Sequence, residues 1–163
     1  MSKKGKYVYD WPRPMVSVDV AVFSFSGSRA RVLLIMRKNG PFKGNWALPG
    51  GFVDIDEELK TAAARELAEE TGLRAIELEQ MHTFGAVGRD PRGRQITVVY
   101  MGIAAGGQRR IRAGDDAAKA RWFEIDKLPQ ELAFDHDQVI ALAIRRLKRK
   151  KIYRAHLKRP AEK

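Results

Sequence analysis

Three carboxylates gathered near one end of a short segment are the residues best placed for chemistry. Glu66, Glu69 and Glu70 lie in Thr61–Leu73, TAAARELAEETGL, whose alanines and lack of breakers predict a helix. At about 100° per residue, Glu69 and Glu70 fall roughly −60° and +40° from Glu66, so the three share an arc of roughly 100°. Gly72 reads as the left-handed residue that stops the helix, which puts the cluster at the C-terminal end. Carboxylates four apart on a helix repel by about 0.2–0.5 kcal/mol, and negative charge at a helix C-terminus opposes the macrodipole by about 0.3–1 kcal/mol. Stability alone does not select this arrangement. A divalent cation on the arc reverses both effects.

The elements that must position such a cluster can be read outward from it. Pro49-Gly50-Gly51 forms a turn into the helix, and glycine lets the backbone approach a bound group closely. Asp54 or Asp56 is expected to cap the helix, with Glu57 and Glu58 in its favourable first turn. Upstream, Val16, Val18, Val20 and Val22 alternate with Ser17, Asp19 and Ala21, which predicts a strand over Met15–Phe25. Ser26-Gly27-Ser28 turns it into a second, more buried strand over Arg31–Arg37, and the pair reads as a hairpin. Lys38–Gly44 is a loop by its Gly and Pro content, and Trp46–Leu48 a short strand. Downstream, Glu77–Val87, Gln95–Ile103 and Ala120–Ile125 read as strands. Asp135 is placed to cap a last helix carrying Val139, Ile140, Ala143, Ile144 and Leu147 at helical spacing. The expectation is one α/β domain over 15–148, with an arm at 1–14 and a basic tail at 149–163.

A chain of 163 residues with 44% hydrophobic content suits one domain with a real core. The absence of cysteine excludes disulfides, thiolate nucleophiles and thiolate-ligated metals. No apolar h-region follows the basic N-terminus and no run is long enough to span a membrane, so a cytoplasmic protein without membrane partners is expected. The net charge of +11 is concentrated: Arg145–Lys163 holds ten Lys/Arg against Glu162 alone, which is +9, leaving +2 elsewhere. A basic end can attract polyanions. Without an aromatic-interleaved or zinc-finger pattern it reads as a solvated helix end, and nucleic acid is not an expected partner. A second cationic stretch, Arg89-Asp90-Pro91-Arg92-Gly93-Arg94, places three arginines in one loop, where guanidiniums can fork onto phosphate oxygens. Its plain alternative is a solvated turn.

Residues 51–73 resemble the Nudix box at every defined position: Gly51, five residues, Glu57, seven residues, Arg65-Glu66-Leu67, one residue, Glu69-Glu70, one residue, Gly72-Leu73. The resemblance implies an α/β/α sandwich around a mixed β-sheet and hydrolysis of a nucleoside diphosphate linked to another group, with Mg²⁺ or Mn²⁺. Carried over by position, Glu66, Glu69 and Glu70 are metal ligands, with Glu70 the most central. A backbone carbonyl at the glycines, Gly50 rather than Gly51, completes the set. Gly51, Glu57 and Arg65 support the loop and the helix. The general base is Glu66 or, as in many members, an acid outside the box, here Asp115 or Asp116; an ordinary Gly-Asp turn is the alternative for the latter pair.

The arginine loop is similar to the RDPRG stretch of bacterial and archaeal ADP-ribose pyrophosphatases, which makes Arg89, Arg92 and Arg94 candidates for substrate binding. A proline that such enzymes often carry beyond the box is replaced here by Val87 or Gly88. Trp11, Phe42 and Trp46 are candidates to stack a base, against the commoner role of packing. The activity implied is cleavage of ADP-ribose to AMP and ribose 5-phosphate, with a pyrophosphohydrolase of (oxidised) nucleoside triphosphates as the other enzymatic reading. A binding module is the non-enzymatic one, because some ADP-ribose-sensing regulators resemble this domain, including a stretch like Leu132–His136. Those regulators usually lose box carboxylates and add a helix-turn-helix domain; here the carboxylates are intact and few residues follow the last helix. Related enzymes are often homodimers.

Overall fold

The computed structural model describes residues 9–105, 111–114 and 117–157. Its elements in chain order are β1 (Met15–Ser26), β2 (Arg29–Arg37), β3 (Trp46–Ala47), β4 (Gly50–Phe52), α1 (Leu59–Thr71), β5 (Leu78–Phe84), β6 (Gln95–Ile103), β7 (Ala117–Glu124), α2 (His136–Arg149) and α3 (Lys151–Leu157). The alternation in β1 divides the core between two layers. Val18, Val20 and Val22 join Ala62, Ala63 and Leu67 of α1. Ala21, Phe23 and Phe25 join Val139, Ile140, Ala143 and Leu147 of α2. Side chains of a strand point alternately to opposite faces, so one strand supplies both layers of an α/β/α sandwich.

The sheet is mixed. β1 pairs antiparallel with β2 and parallel with β6 over Met15–Phe23, β5 lies antiparallel on β6, and β7 antiparallel on β2. The expected hairpin of β1 and β2 is present, but its strands pair only from Phe23↔Val32 to Ser26↔Arg29. Towards the other end they part. Ser17–Asp19 of β1 takes β4 as its neighbour, and Ile35–Met36 of β2 takes β3. The sheet is thus forked, with the Trp46–Phe52 segment lying in the fork.

Helix α1 ends as expected: Gly72 has φ +74° and its N–H donates to the Ala68 carbonyl. Its start differs from expectation. Glu58 occupies the N-cap without a side-chain cap bond, and Glu57 and Glu58 precede the first turn. Neither Asp54 nor Asp56 caps. The Glu57 carboxylate accepts from Arg65 and from the Asp54 N–H, and the Glu57 N–H donates to the Asp54 carbonyl, which holds 54–57 as a separate turn before the helix. Asp135 sits at the N-cap of α2, but its carboxylate turns to Arg89 instead of capping. Beyond Arg149 the basic stretch continues as α3, where Tyr153 packs against Phe25 with ring centroids 6.3 Å apart. Among the described residues no helix is long and apolar enough to cross a membrane.

Candidate active site

The fork in the sheet opens a cavity of about 780 Å³, walled by the carboxylate end of α1, by β1 and β2 where they part, and by the residues leading into α2. Glu70 is buried against its floor, where its Oε2 accepts the Gly50 N–H at 2.9 Å. Burial pushes its carboxyl up to about 8; the Gly50 N–H opposes this, and the charges of Glu66 and Asp19 add to it. Glu66 is also raised, first by burial, against the pull of Arg65. Glu69 is exposed and meets Arg65 at 3.3 Å.

Arg65 lies among these acids. It donates twice to Glu57 at 2.8 Å, to Glu66 at 2.7 Å, and to the Phe52 carbonyl at 3.2 Å. Its hydrogen bonds to Glu57 strengthen its hold on the proton and draw Glu57 below the ordinary carboxylate range. Loop 52–57 is thereby tied to the face of α1. The glycines fit by necessity: a Cβ on Gly51 would fall on the Glu66 carboxylate, and one on Gly50 would strike the Val18 carbonyl and Asp19. The donors present are carboxylate and carbonyl oxygens, which hard cations prefer. With Glu66 and Glu69 both turned to Arg65, no three His, Asp or Glu side chains among the described residues are gathered so as to hold an ion as they stand.

The arginines of the 89–94 loop diverge. Arg89 is almost wholly buried; it donates to both oxygens of Asp135, at 2.9 and 2.6 Å, and to Thr97. Arg92 lines the cavity with Asp90 as its partner at 2.7 Å. Arg94 turns away to the Gly85 carbonyl at 2.5 Å. Arg89 and Arg92 therefore reach the cavity wall and Arg94 does not. Of the aromatic candidates, Trp11 is 81% exposed, Trp46 packs edge-on against Phe123, and Phe42 packs against Phe134; none of the three lines the cavity. Asp115 and Asp116 lie outside the described residues. Gly114, just before them, is on the cavity wall, with its N–H on the Glu70 carbonyl at 3.1 Å.

Four lining residues escape a reading of the sequence as a site. Asp19 and His136 form a buried pair: His136 Nδ1 accepts the Leu48 N–H at 2.9 Å, which leaves the proton on Nε2, 3.3 Å from Asp19 Oδ2. Arg37 ends β2, and Phe134 precedes the Asp135 cap with φ +53°. The only sequence trace of Asp19 is a carboxylate in an otherwise valine-rich strand. His136 reads as a helix start.

Similarity to known proteins agrees with this geometry. The chain matches the NUDIX domain over residues 13–143. It is 44% identical over 121 residues to an ADP-ribose pyrophosphatase of Methanocaldococcus jannaschii, covering 74% of this chain and 70% of that one. It is 39% identical over 151 residues to the ADPR responsive transcriptional repressor NtrR of Acinetobacter baylyi, where 90% of this chain spans 59% of the repressor's length. Among solved structures, the NUDIX domain of Shewanella oneidensis NrtR complexed with ADP ribose superposes with a TM-score of 0.78 at 35% identity, over 85% of this chain and 94% of that one. A forked sheet that brings the glycine turn against the acidic end of α1 is thus joined to a match spanning most of the chain, and the protein belongs to the Nudix family.

Proposed function

We propose that the protein hydrolyses the pyrophosphate bond of ADP-ribose, or a closely similar ADP-sugar, to AMP and a sugar phosphate, using Mg²⁺ or Mn²⁺. The observation that carries the reading is Glu70, a buried acid on the wall of the cavity, bonded to the Gly50 N–H and sharing that wall with Glu66 and Glu69. The oxygen-only donor set suits a hard divalent ion, with Glu66, Glu69, Glu70 and the Gly50 carbonyl as its ligands. Bound there, the ion neutralises phosphate charge and makes water a better nucleophile. Glu57 and Arg65 hold the loop to the helix so that the glycine turn and the carboxylates face each other. Removal of the attacking water's proton falls to Glu66 among the described residues, with Asp115 and Asp116 as alternatives. The similarity to an ADP-ribose pyrophosphatase and to an ADP-ribose complex supports the substrate. A cytoplasmic location and a homodimer complete the reading.

Similarity to two ADP-ribose-linked regulators, one solved with a 27mer DNA, favours a second reading, a module that binds ADP-ribose without cleaving it. One experiment separates the two. The protein is incubated with Mg²⁺ and, in turn, ADP-ribose, diadenosine polyphosphates, NADH and nucleoside triphosphates, and the products are identified. AMP and ribose 5-phosphate from ADP-ribose support the enzyme. Tight binding without turnover supports the sensor, and preference for a triphosphate contradicts the substrate assignment.

A further inference from the structure

Across the cavity from the carboxylates, two guanidiniums share one aromatic ring. Arg37 Cζ lies 4.9 Å and Arg92 Cζ 5.6 Å from the centroid of Phe134, and Arg92 also sits 5.0 Å over Phe52. Contact with a ring face explains each cation singly. It does not explain two like charges at one ring. Burial, and then the charge of Arg92, hold Arg37 below the ordinary arginine range.

Their hydrogen bonds set these two apart from the other arginines of the cavity wall. Arg89 is occupied by Asp135 and Thr97, and Arg65 by carboxylates and the Phe52 carbonyl. Arg37 donates from Nε to the Pro41 carbonyl at 2.8 Å, and among the described residues its terminal nitrogens make no hydrogen bond. Arg92 is held to Asp90 through Nε and Nη2, which leaves Nη1 without one among the described residues. Both side chains line the cavity.

The ring between them is held in a strained conformation. Phe134 has φ +53°, and Phe42, packed edge-on to it at 4.8 Å, has φ +61°, a region that side chains other than glycine seldom occupy. Both flanks of Phe134 are fixed. The Ala133 N–H donates to the Trp46 carbonyl at 2.8 Å; beyond the ring, Asp135 is clamped by Arg89, and His136 accepts the Leu48 N–H. Strain that surrounding contacts over-determine in this way collects at ligand clamps.

We propose that Arg37 and Arg92 form the clamp for the two phosphates of a nucleoside diphosphate derivative, and that Phe134 is the positioning residue that presents them. The proposal rests on the functional reading above and moves the phosphate role from Arg89 and Arg94 to a residue outside that loop. Asp90 already pairs with Arg92, and a diphosphate accepting the terminal N–H groups that make no hydrogen bond among the described residues would add acceptors for both guanidiniums.

The test compares wild type with Arg37→Gln, Arg37→Lys, Phe134→Leu and the double variant Arg37→Gln/Phe134→Leu, each checked for an unchanged circular dichroism spectrum. Two quantities are read: KM and kcat for ADP-ribose with Mg²⁺, and the Kd of inorganic pyrophosphate in the absence of divalent ions. Arg37→Gln should raise KM and the pyrophosphate Kd by about 10- to 100-fold, the weight of lost charged hydrogen bonds, while kcat changes much less. Arg37→Lys should recover part of that loss, since it keeps the charge without the fork. Phe134→Leu should move the same two quantities, and the double variant should lose less than the product of the single losses. Unchanged KM and Kd in Arg37→Gln, or fully multiplicative losses, overturn the proposal. If wild type cleaves no diphosphate derivative but Arg37→Gln still weakens pyrophosphate binding, the clamp stands and the functional reading falls. If wild type cleaves ADP-ribose and Arg37→Gln matches it, the reverse holds.

Discussion

Glu70 is buried beside two further acids, and the Gly50 N–H bond and the charge of Arg37 only partly offset the burial that disfavours its charge. Its folded-state value of about 8 lies above the ordinary 4.5, so the folded protein binds this proton more tightly than the unfolded chain does. The stability it contributes is therefore complete below about pH 4.5 and is lost as pH rises through about 8. Glu66 is shifted the same way. In a chelating buffer the thermal midpoint should fall from about pH 5 to about pH 8, and Glu70→Gln should flatten that slope. A divalent ion must displace the proton, so Mg²⁺ should raise the midpoint more at about pH 8 than at about pH 6. An equal rise at both would contradict the placement of the ion at Glu70. Gly51 gives a second prediction of this kind. A Cβ there would fall on the Glu66 carboxylate, so Gly51→Ala should lower turnover by about 10- to 100-fold, the range found when groups that orient metal ligands are disturbed.

At the scale of elements, the Arg89–Asp135 pair joins the loop before β6 to the start of α2 at the cavity wall, with both side chains largely shielded from solvent. Removing one partner of a buried pair leaves an uncompensated charge, so Arg89→Ala should lower stability by about 3–5 kcal/mol in urea denaturation. If Arg89 were a surface phosphate ligand, stability would hardly change. Helix α1, its glycine stop and the β1–β2 hairpin could be read from the sequence, because each depends on residues near one another in the chain. What joins distant elements could not. The parallel pairing of β1 with β6 leaves no mark on the alternation of either strand, and neither does the parting of β1 from β2. Arg89 and Arg92 look alike in the sequence, and only the fold places Asp135 beside one and Phe134 beside the other. Asp54 and Asp56 look like caps until Glu57 is found bonded to Arg65. The box announced where chemistry gathers, whereas the facing wall of Arg37, Phe134, Asp19 and His136 is assembled from three separate stretches.

Taken whole, the molecule divides its charge. Much of the +11 lies in α2, α3 and the residues beyond, while the cavity combines acids from α1 with cations from β2 and the 89–94 loop. The forked sheet lets both signs face one space of about 780 Å³, a volume suited to a nucleotide-sized ligand. On this account, removing divalent ions should abolish turnover without unfolding the protein, and Mg²⁺ should restore it. The central claim is that Glu70 and its neighbours hold the ion that drives pyrophosphate cleavage. Steady-state turnover of ADP-ribose with saturating Mg²⁺, compared between wild type and Glu70→Gln, tests it most directly. The account predicts a loss on the order of a thousandfold or more in kcat with the fold intact, since several kcal/mol of charge stabilisation depend on the ion. A Glu70→Gln protein that kept wild-type turnover would contradict it.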